Sequence, residues 1–558
     1  MPATLTHRAQ PGKSPSRPDA AIRKLVESLR SARCYPHPAE DVEILETHIS
    51  YVLLAGAFAY KIKKPVSLEF LDFSTLDARL HYCREELRLN RRTAPDLYLG
   101  VVPIVGRHDA PAVDATGVPI EYAVKMRRFP QEALLDRLAL RRALTPAQID
   151  AFAAAVARLH LAARRALPGT GYGSADQVLS DAFGNLRAID AIPRALHDWT
   201  LAEHHALRST FESRRAAGFV RECHGDLHLG NVVWMGEAPV IFDCIEFNPE
   251  FRWIDVMSDV AFVVMDLHHD GYPDLAARFL DAYLQHTGDY AGLRVLRFYL
   301  VYRALVRAKI ACIRASQPAT GERECANARV AAAAYLELAA RISTAAPGAL
   351  VAMHGFSGSG KTAVSQALVE AYGAVRVRSD VERKRLHGMD ALAKSGSDPG
   401  KGLYSAAETE RTYACLATMA DAVLDAGYPA IVDATFLRRP ERVRMRELAA
   451  AHGVPFAIAD CHAPVEVLLQ RIDARREKGH DSSEADALVL DLQRATAEPL
   501  DASERAVTAA FQTDLGRADL EAAIESLARR LDFAVKGIPC ATTTSSTAMP
   551  TASARSTS

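Results

Sequence analysis

Gly355-Phe-Ser-Gly-Ser-Gly-Lys-Thr362 decides how the second half of this 558-residue chain folds. The stretch follows an apolar run, Leu350 to His354, and opens a helical one, so it is a glycine-rich turn between a strand and a helix. Glycines let the backbone curl until its N–H groups converge, and the start of the helix adds a dipole that favours anions. The spacing G-x-x-x-x-G-K-[ST] assigns Gly355, Ser357, Gly358, Ser359 and Gly360 to a phosphate cradle, Lys361 to the β/γ oxygens, and Thr362 to magnesium.

Downstream, strand-like segments at Ala374 to Arg378, Ala430 to Val432 and Phe456 to Ala459 alternate with helical stretches, which predicts a parallel sheet with crossover helices. Three features favour a kinase over other nucleotide-binding proteins. Arg378-Ser-Asp380-Val-Glu-Arg383 follows the second strand, and residues three apart on a helix share a face, so Asp380 and Arg383 can address one acceptor and its transferred phosphate. The third strand ends Ile431-Val-Asp433-Ala-Thr435, placing a carboxylate and a hydroxyl at the sheet edge where ligands bind. Arg471 and Arg475 fall on one helix face, as expected of a lid that clamps phosphates. No N-K-x-D signature appears, which favours ATP over GTP. This half resembles the zeta-toxin, polynucleotide-kinase and gluconate-kinase group of P-loop kinases over about 349 to 535. The resemblance implies Asp380 as the base that orients the acceptor hydroxyl and Arg383 as a phosphate contact.

The first half is read from His224-Gly-Asp-Leu-His-Leu-Gly-Asn231, with Asp243 at the end of the next β patch. Phosphoryl transfer needs a carboxylate to take the proton of the attacking hydroxyl, and an amide oxygen with a second carboxylate to hold magnesium. Asp226, Asn231 and Asp243 take these roles in that order. A metal site from His224, His228 and Asp226 is the competing reading. Strand-like segments at Ile49 to Leu54 and Ala57 to Lys63 meet at Gly56, helical sequence runs from Leu76 to Arg92, and a strand is expected at Ile120 to Met126. The β patch from Val232 to Phe242 turns back at Gly236 to Pro239.

Over about 30 to 340 the chain resembles the aminoglycoside phosphotransferase and choline kinase branch of kinase-like enzymes, whose loop reads H-G-D-x-x-x-x-N. The resemblance implies a small β lobe and a mainly helical large lobe. It implies a strand lysine, Lys61, with Lys63 on the same face as the alternative, and a helical partner, Glu86, with Glu85 as the alternative. It also implies that Tyr122 to Met126 is the hinge strand that meets adenine. Two departures stand out: Asp243 is followed by Cys-Ile-Glu246, and no G-x-G-x-x-G run precedes Lys61.

The whole chain fits an α/β and α+β two-domain protein. Its length exceeds what one core organises, and Ser343-Thr-Ala-Ala-Pro-Gly348 looks like a linker. The expected division is a tail over 1–22, a kinase-like domain over 23–345, a P-loop domain over 346–536 and a tail over 537–558. Lys plus Arg number 67 against 68 Asp plus Glu, so nucleic acid is not the favoured partner. Nine cysteines without a C-x-x-C pair, and no apolar leader or span, point to a cytoplasmic protein with reduced thiols. The expected function is a bifunctional phosphotransferase that uses ATP and Mg2+ on small-molecule hydroxyls. A nucleotide-sensing first half that regulates one active P-loop kinase, and a non-catalytic ATP switch, are the alternatives.

Overall fold

The computed structural model describes residues 17–68, 71–189, 192–316, 321–344, 348–391, 393, 402–478 and 486–531. The tails expected over 1–22 and 537–558 fall almost wholly outside them, apart from 17–22. These residues form two compact units. One holds the described residues up to 189 with His197–Asp266 and Phe298–Arg303; the other holds Ala304 onward with 192–196 and Leu267–Arg297.

In the first unit, strands β1 (Glu43–Glu46), β2 (Ser50–Ala55), β3 (Phe58–Lys63), β4 (Tyr98–Arg107), β5 (Ala110–Val113) and β6 (Pro119–Arg127) form an antiparallel sheet in the order β1-β2-β3-β6-β4-β5. Strand periodicity splits β3 between two environments. Tyr60 and Ile62 enter a core with Leu25, Leu53 and Ile104, while Ala59 faces Cys83 of helix α1 (Leu76–Asn90) and Val124. Lys61 and Lys63 share the face of Ala59 and therefore look toward α1. The Thr75 hydroxyl accepts from Ala78 N and fixes where that helix begins. The expected helix and the strand turning at Gly56 are thus present. Strands β1, β4 and β5 carried no distinct sequence signal. The rest of the unit is mainly helical, with a hairpin of β7 (Val232–Met235) and β8 (Ala238–Ile241) folded back where expected.

The second unit contains a parallel sheet of β9 (Leu350–His354), β10 (Val375–Arg378), β11 (Ala430–Asp433), β12 (Phe456–His462) and β13 (Thr508–Gln512), in the order β10-β11-β9-β12-β13. The sequence reading located the first four strands and missed β13. Val351, Met353, Ala457, Ala459 and Phe511 form a core with Val364 and Leu368 of helix α3 (Lys361–Tyr372), as a sheet covered on its faces requires. Helix α2 (Pro273–Thr287) contributes Ala277 to that same core. Packing therefore assigns 267–297, 304–316 and 321–344 to the C-terminal unit, upstream of the break expected near 346, which itself lies outside the described residues. Among the described residues no helix is long and apolar enough to cross a membrane, and the eight described cysteines are free thiols.

Candidate active sites

In the first unit the two candidate lysines share one carboxylate. Lys61 Nζ lies 2.9 Å from Glu86 Oε1, and Lys63 Nζ lies 2.8 Å from Glu86 Oε2. Glu86 is fully buried. Burial alone would raise its pKa, but the charges of Lys61 and Lys63 outweigh that and hold it below the usual carboxylate range. Lys61 also ion-pairs with Asp243, and Lys63 with Glu246. Glu85 turns away to Arg88, at 2.9 Å. Lys61 is thus the lysine beside Asp243, whereas Lys63 closes a buried pair with Glu246, the acid three residues beyond it. The sequence reading assigned no role to Glu246.

Asp243 has φ +63°, a left-handed conformation that Asp tolerates better than most residues. Its N–H donates to the Tyr98 hydroxyl at 3.2 Å, and the next N–H, of Cys244, donates to Asn90 Oδ1 at 2.9 Å. The turn that aims the carboxylate at Lys61 is therefore held from both sides.

The loop carrying Asp226 is held by an apolar helix, Val256–His269. Asp259 accepts from His224 N at 2.7 Å and Gly225 N at 2.9 Å, and Asp266 accepts from Leu229 N at 3.0 Å. The two aspartates are seven apart, two turns of one helix face. Arg303 donates to Gly225 O at 2.9 Å. Gly225 has φ +88°, and a Cβ there would sit 2.5 Å from Phe251 O, so no other residue fits. Asn231 Nδ2 donates to Asp226 O at 2.9 Å and lies 3.3 Å from Asp226 Oδ2, bringing the proposed base and the amide ligand together. Burial pushes the His224 imidazole toward its neutral form, and its Nε2 meets Phe242 O at 2.9 Å. That contact engages His224 in the turn. Among the described residues, the group of potential metal ligands that does converge is His160, Cys223 and Asp259, not His224 with His228 and Asp226.

In the second unit the loop wraps as its glycines require. Gly355, Gly358 and Gly360 have φ of +133°, +82° and +85°, and a Cβ on Gly355 would lie 2.2 Å from Cys461 O. Lys361 Nζ donates to Gly355 O at 2.9 Å and Phe356 O at 2.8 Å, and burial lowers its pKa against the pull of Asp433. The loop borders a cavity of about 870 Å³. Ser357, Gly358, Gly360, Lys361 and Thr362 line it on one side, and Asp380, Arg383, Asp433, Arg471 and Arg475 line it elsewhere. Gly355 and Ser359 support the loop from behind; Ser359 is 1% exposed. Asp380 and Arg383 share helix α4 (Ser379–Leu386), as their spacing required. Arg471 donates to Thr513 Oγ1 at 2.9 Å and Gly358 O at 3.3 Å, resting on the phosphate loop.

Beneath the loop runs a chain of contacts that sequence reasoning missed. Asp281 of α2 accepts from Arg376 Nη2 at 2.8 Å and from the Arg376 backbone N–H at 3.3 Å. Arg376 Nη1 donates to Ser365 Oγ at 3.1 Å and Thr362 O at 3.3 Å, and Ser365 Oγ donates to Asp433 Oδ2 at 3.1 Å. A charged residue in the middle of Val375-Arg-Val-Arg378 was the available signal, because a buried charge demands a partner. Gln493 was also missed: it accepts from Ser357 N at 2.9 Å and donates to Ser357 Oγ at 3.0 Å.

Residues 76–299 match the family described as "Phosphotransferase enzyme family", and 350–500 match an "AAA domain". An uncharacterized protein of Mycobacterium tuberculosis (strain ATCC 25618 / H37Rv) is 31% identical over 477 residues, which span 83% of this chain and 92% of that protein. A choline/ethanolamine kinase family protein from Mesorhizobium loti is 16% identical, covers 56% of this chain and 95% of its own, and superposes with a TM-score of 0.36. A gluconokinase from Sinorhizobium meliloti 1021 is 24% identical, covers 33% of this chain and 94% of its own, and has a TM-score of 0.24.

Proposed function

The chain, a phosphotransferase-family region followed by an AAA-domain region, belongs to the family of the mycobacterial protein it matches, and on that premise we propose that it is a bifunctional ATP-dependent phosphotransferase. Each unit would pass the γ-phosphoryl group of ATP to the hydroxyl of a small molecule. What supports this reading is, in the first unit, Lys61 paired with Glu86 and Asp243 and Asn231 hydrogen-bonded to Asp226, and in the second, one cavity lined by Lys361, Thr362, Asp380 and Asp433.

In the first unit Lys61, oriented by Glu86, binds phosphate oxygens. Asp226 takes the proton of the acceptor hydroxyl as its oxygen bonds to the γ-phosphorus and the bridging bond to ADP breaks. In the second unit Lys361 exchanges two loop carbonyls for phosphate oxygens, Asp380 takes the proton, and Arg471 and Arg475 close over the transferring group. Asn231 and Asp243 in one site, and Thr362 and Asp433 in the other, are all-oxygen donor sets that fit magnesium. Magnesium bound with the nucleotide supplies neutralisation of the phosphate charge. The balanced charge and the cavity of about 870 Å³ support small-molecule acceptors, and reduced thiols support a cytoplasmic setting.

The test is untargeted mass spectrometry of a cell extract incubated with ATP and the full-length protein, comparing wild type with Asp226→Asn and Lys361→Ala. One phosphorylated species lost in each variant is the expected result. If Asp226→Asn removes nothing while Lys361→Ala removes every product, the first unit is a nucleotide sensor. Tight ATP binding without any product makes the chain a switch.

A further inference from the structure

Two buried charges of the first unit, Lys63 and Glu246, take no part in the transfer step, yet they pair with each other. Their side chains are 1% and 4% exposed, which leaves neither with surface to meet a nucleotide. Lys63 Nζ donates to Glu246 Oε1 and, at 2.8 Å, to Glu86 Oε2, and it lies 5.0 Å from the centroid of the Phe73 ring. Burial alone would lower the Lys63 pKa, but the charges of Glu246 and Glu86 outweigh it and keep the ammonium charged. Lys61 is held differently. It ion-pairs with Glu86 Oε1 at 2.9 Å without the alignment of a hydrogen bond, and its hydrogen bond goes to Asp243, whose side chain is 42% exposed. The firm partner of Glu86 is therefore Lys63.

Strand and turn geometry make these contacts a ladder. Lys61 and Lys63 are two apart on β3 and share a face, while Asp243 and Glu246 are three apart in the turn after β8. Glu86 of α1 spans both lysines with one oxygen on each. Lys63 thus ties together β3, α1 and the Asp243 turn. That turn is tied in addition to the H-G-D loop, since Ile245 N–H donates to His224 O at 3.1 Å, and to Arg252, whose Nη1 donates to Glu246 O at 3.1 Å. Nucleotide binding puts a demand on this cluster, because Lys61 must turn its charge to phosphate oxygens and Asp243 must turn its own to magnesium. Glu86, 0% exposed, would then lose its share of Lys61, and a buried carboxylate deprived of its cation is strongly unfavourable. Lys63 stays on it.

We propose that Lys63 and Glu246 are a positioning pair for the nucleotide site of the first unit. Lys63 supplies the permanent counter-charge of Glu86, which leaves Lys61 available to phosphate, and Glu246 fixes the turn that aims Asp243 at the metal. This rests on the reading of that unit as a phosphotransferase and adds two residues on which its site depends, neither of which touches substrate. A buried pair that served stability alone would be replaceable by apolar side chains of similar size without loss to the site. A positioning pair is not replaceable in that way, because the charge on Glu86 and the place of the turn both depend on it.

The test uses the full-length protein carrying Lys361→Ala to silence the second site. A fluorescent ATP analogue is titrated with and without Mg2+ into this parent and into its Glu246→Gln, Lys63→Met and Lys63→Met/Glu246→Leu derivatives. Glu246→Gln removes negative charge near the phosphates but loosens the Asp243 turn, so metal-free affinity should hold or tighten while the gain conferred by Mg2+ falls at least about tenfold. Lys63→Met should weaken binding at least about tenfold with or without the metal. The double variant leaves neither charge of the pair alone, so it should regain the unfolding midpoint lost by either single variant but not the Mg2+ gain, and it serves where a single variant fails to fold. Recovery of midpoint and Mg2+ gain together, or a Mg2+ gain in Glu246→Gln within about twofold of the parent, would overturn the assignment. Absence of any nucleotide binding by the parent sinks the phosphotransferase reading of the first unit instead, and hydrogen exchange without ligand then decides on the pair. The amides of Asp243 and Cys244, which donate to Tyr98 and Asn90, should exchange at least about tenfold faster in Glu246→Gln and in the double variant, and rates equal to the parent's would overturn the positioning role.

Discussion

Asp281 and Arg376 form a buried ion pair, 2% and 4% exposed at their side chains, between α2 and the edge strand β10. At 2.8 Å and an effective dielectric near 20, their attraction is roughly 6 kcal/mol, most of which offsets the cost of removing both charges from water. Cutting away one partner is a different matter, because the survivor stays buried and uncompensated. Asp281→Ala should therefore destabilise the C-terminal unit by about 3–5 kcal/mol. For a unit of 150–250 residues that corresponds to a fall of roughly 6–20 °C in its unfolding midpoint. Because Arg376 also holds Thr362 O and Ser365 Oγ, and Ser365 holds Asp433, the same change should weaken ATP binding several-fold at temperatures where the unit remains folded. Calorimetry of the full-length protein, with and without MgATP, measures both effects. Asp281→Leu combined with Arg376→Met replaces the pair by apolar side chains and should recover most of the lost stability, though not the nucleotide affinity. An Asp281→Ala midpoint within about 1 °C of wild type, or a double variant less stable than the single one, would refute the reasoning.

Three further outcomes follow from the geometry. Glu86→Gln removes the shared counter-charge of Lys61 and Lys63 and should lower transfer by the first unit at least about a hundredfold while destabilising it by about 3–5 kcal/mol, read by product assay and urea denaturation. Gly355→Ala forces a Cβ to 2.2 Å from Cys461 O at φ +133° and should abolish binding of a fluorescent ATP analogue by the second unit, leaving any binding by the first. Glu222, whose burial works to raise its pKa, is held at about 2 by hydrogen bonds from Arg88 and Arg164, outweighing that burial. Since the folded pKa lies below the unfolded value near 4.3, its stabilisation of roughly 2–3 kcal/mol is full above about pH 5 and is lost as the pH falls from there toward 2. Glu222→Gln should flatten that part of the stability profile; an unchanged acid limb would rule the contribution out.

What the sequence disclosed, and what it did not, follows from where the information sits. The glycine loop, the H-G-D loop and the paired lysines of β3 were legible because spacing alone fixes their geometry: a turn that no Cβ allows, or a strand that alternates. The choice between Lys61 and Lys63 was not legible, since periodicity puts both on one face. The structure separates them by a long-range partner, Asp243 for one and Glu246 for the other. Asp259 and Asp266 were hidden for a related reason. An aspartate in an apolar helix announces that something must satisfy it, but not that the acceptor serves the backbone of a loop 34 to 37 residues earlier in the chain.

The unit boundary was hidden more deeply. An apolar helix face specifies that it will be covered, not by what, so α2 reads equally well as the end of a helical lobe or as the cover of a parallel sheet. Ala276 and Ala277 are small enough for close helix contact with either. The polar residue decides: Asp281 is buried, and a buried carboxylate is stable only where a cation waits for it. That cation is Arg376, in the edge strand β10, whose guanidinium reaches Thr362 O. The match to the phosphotransferase family runs to 299, yet the residues from 267 to 297 pack with the nucleotide-binding sheet. A fragment cut at the linker near 346 would therefore expose the face of α3 that α2 covers and strand Arg376 without its counter-charge. The first turn of α3 is in this sense supported by residues that the phosphotransferase-family match covers and the AAA-domain match does not.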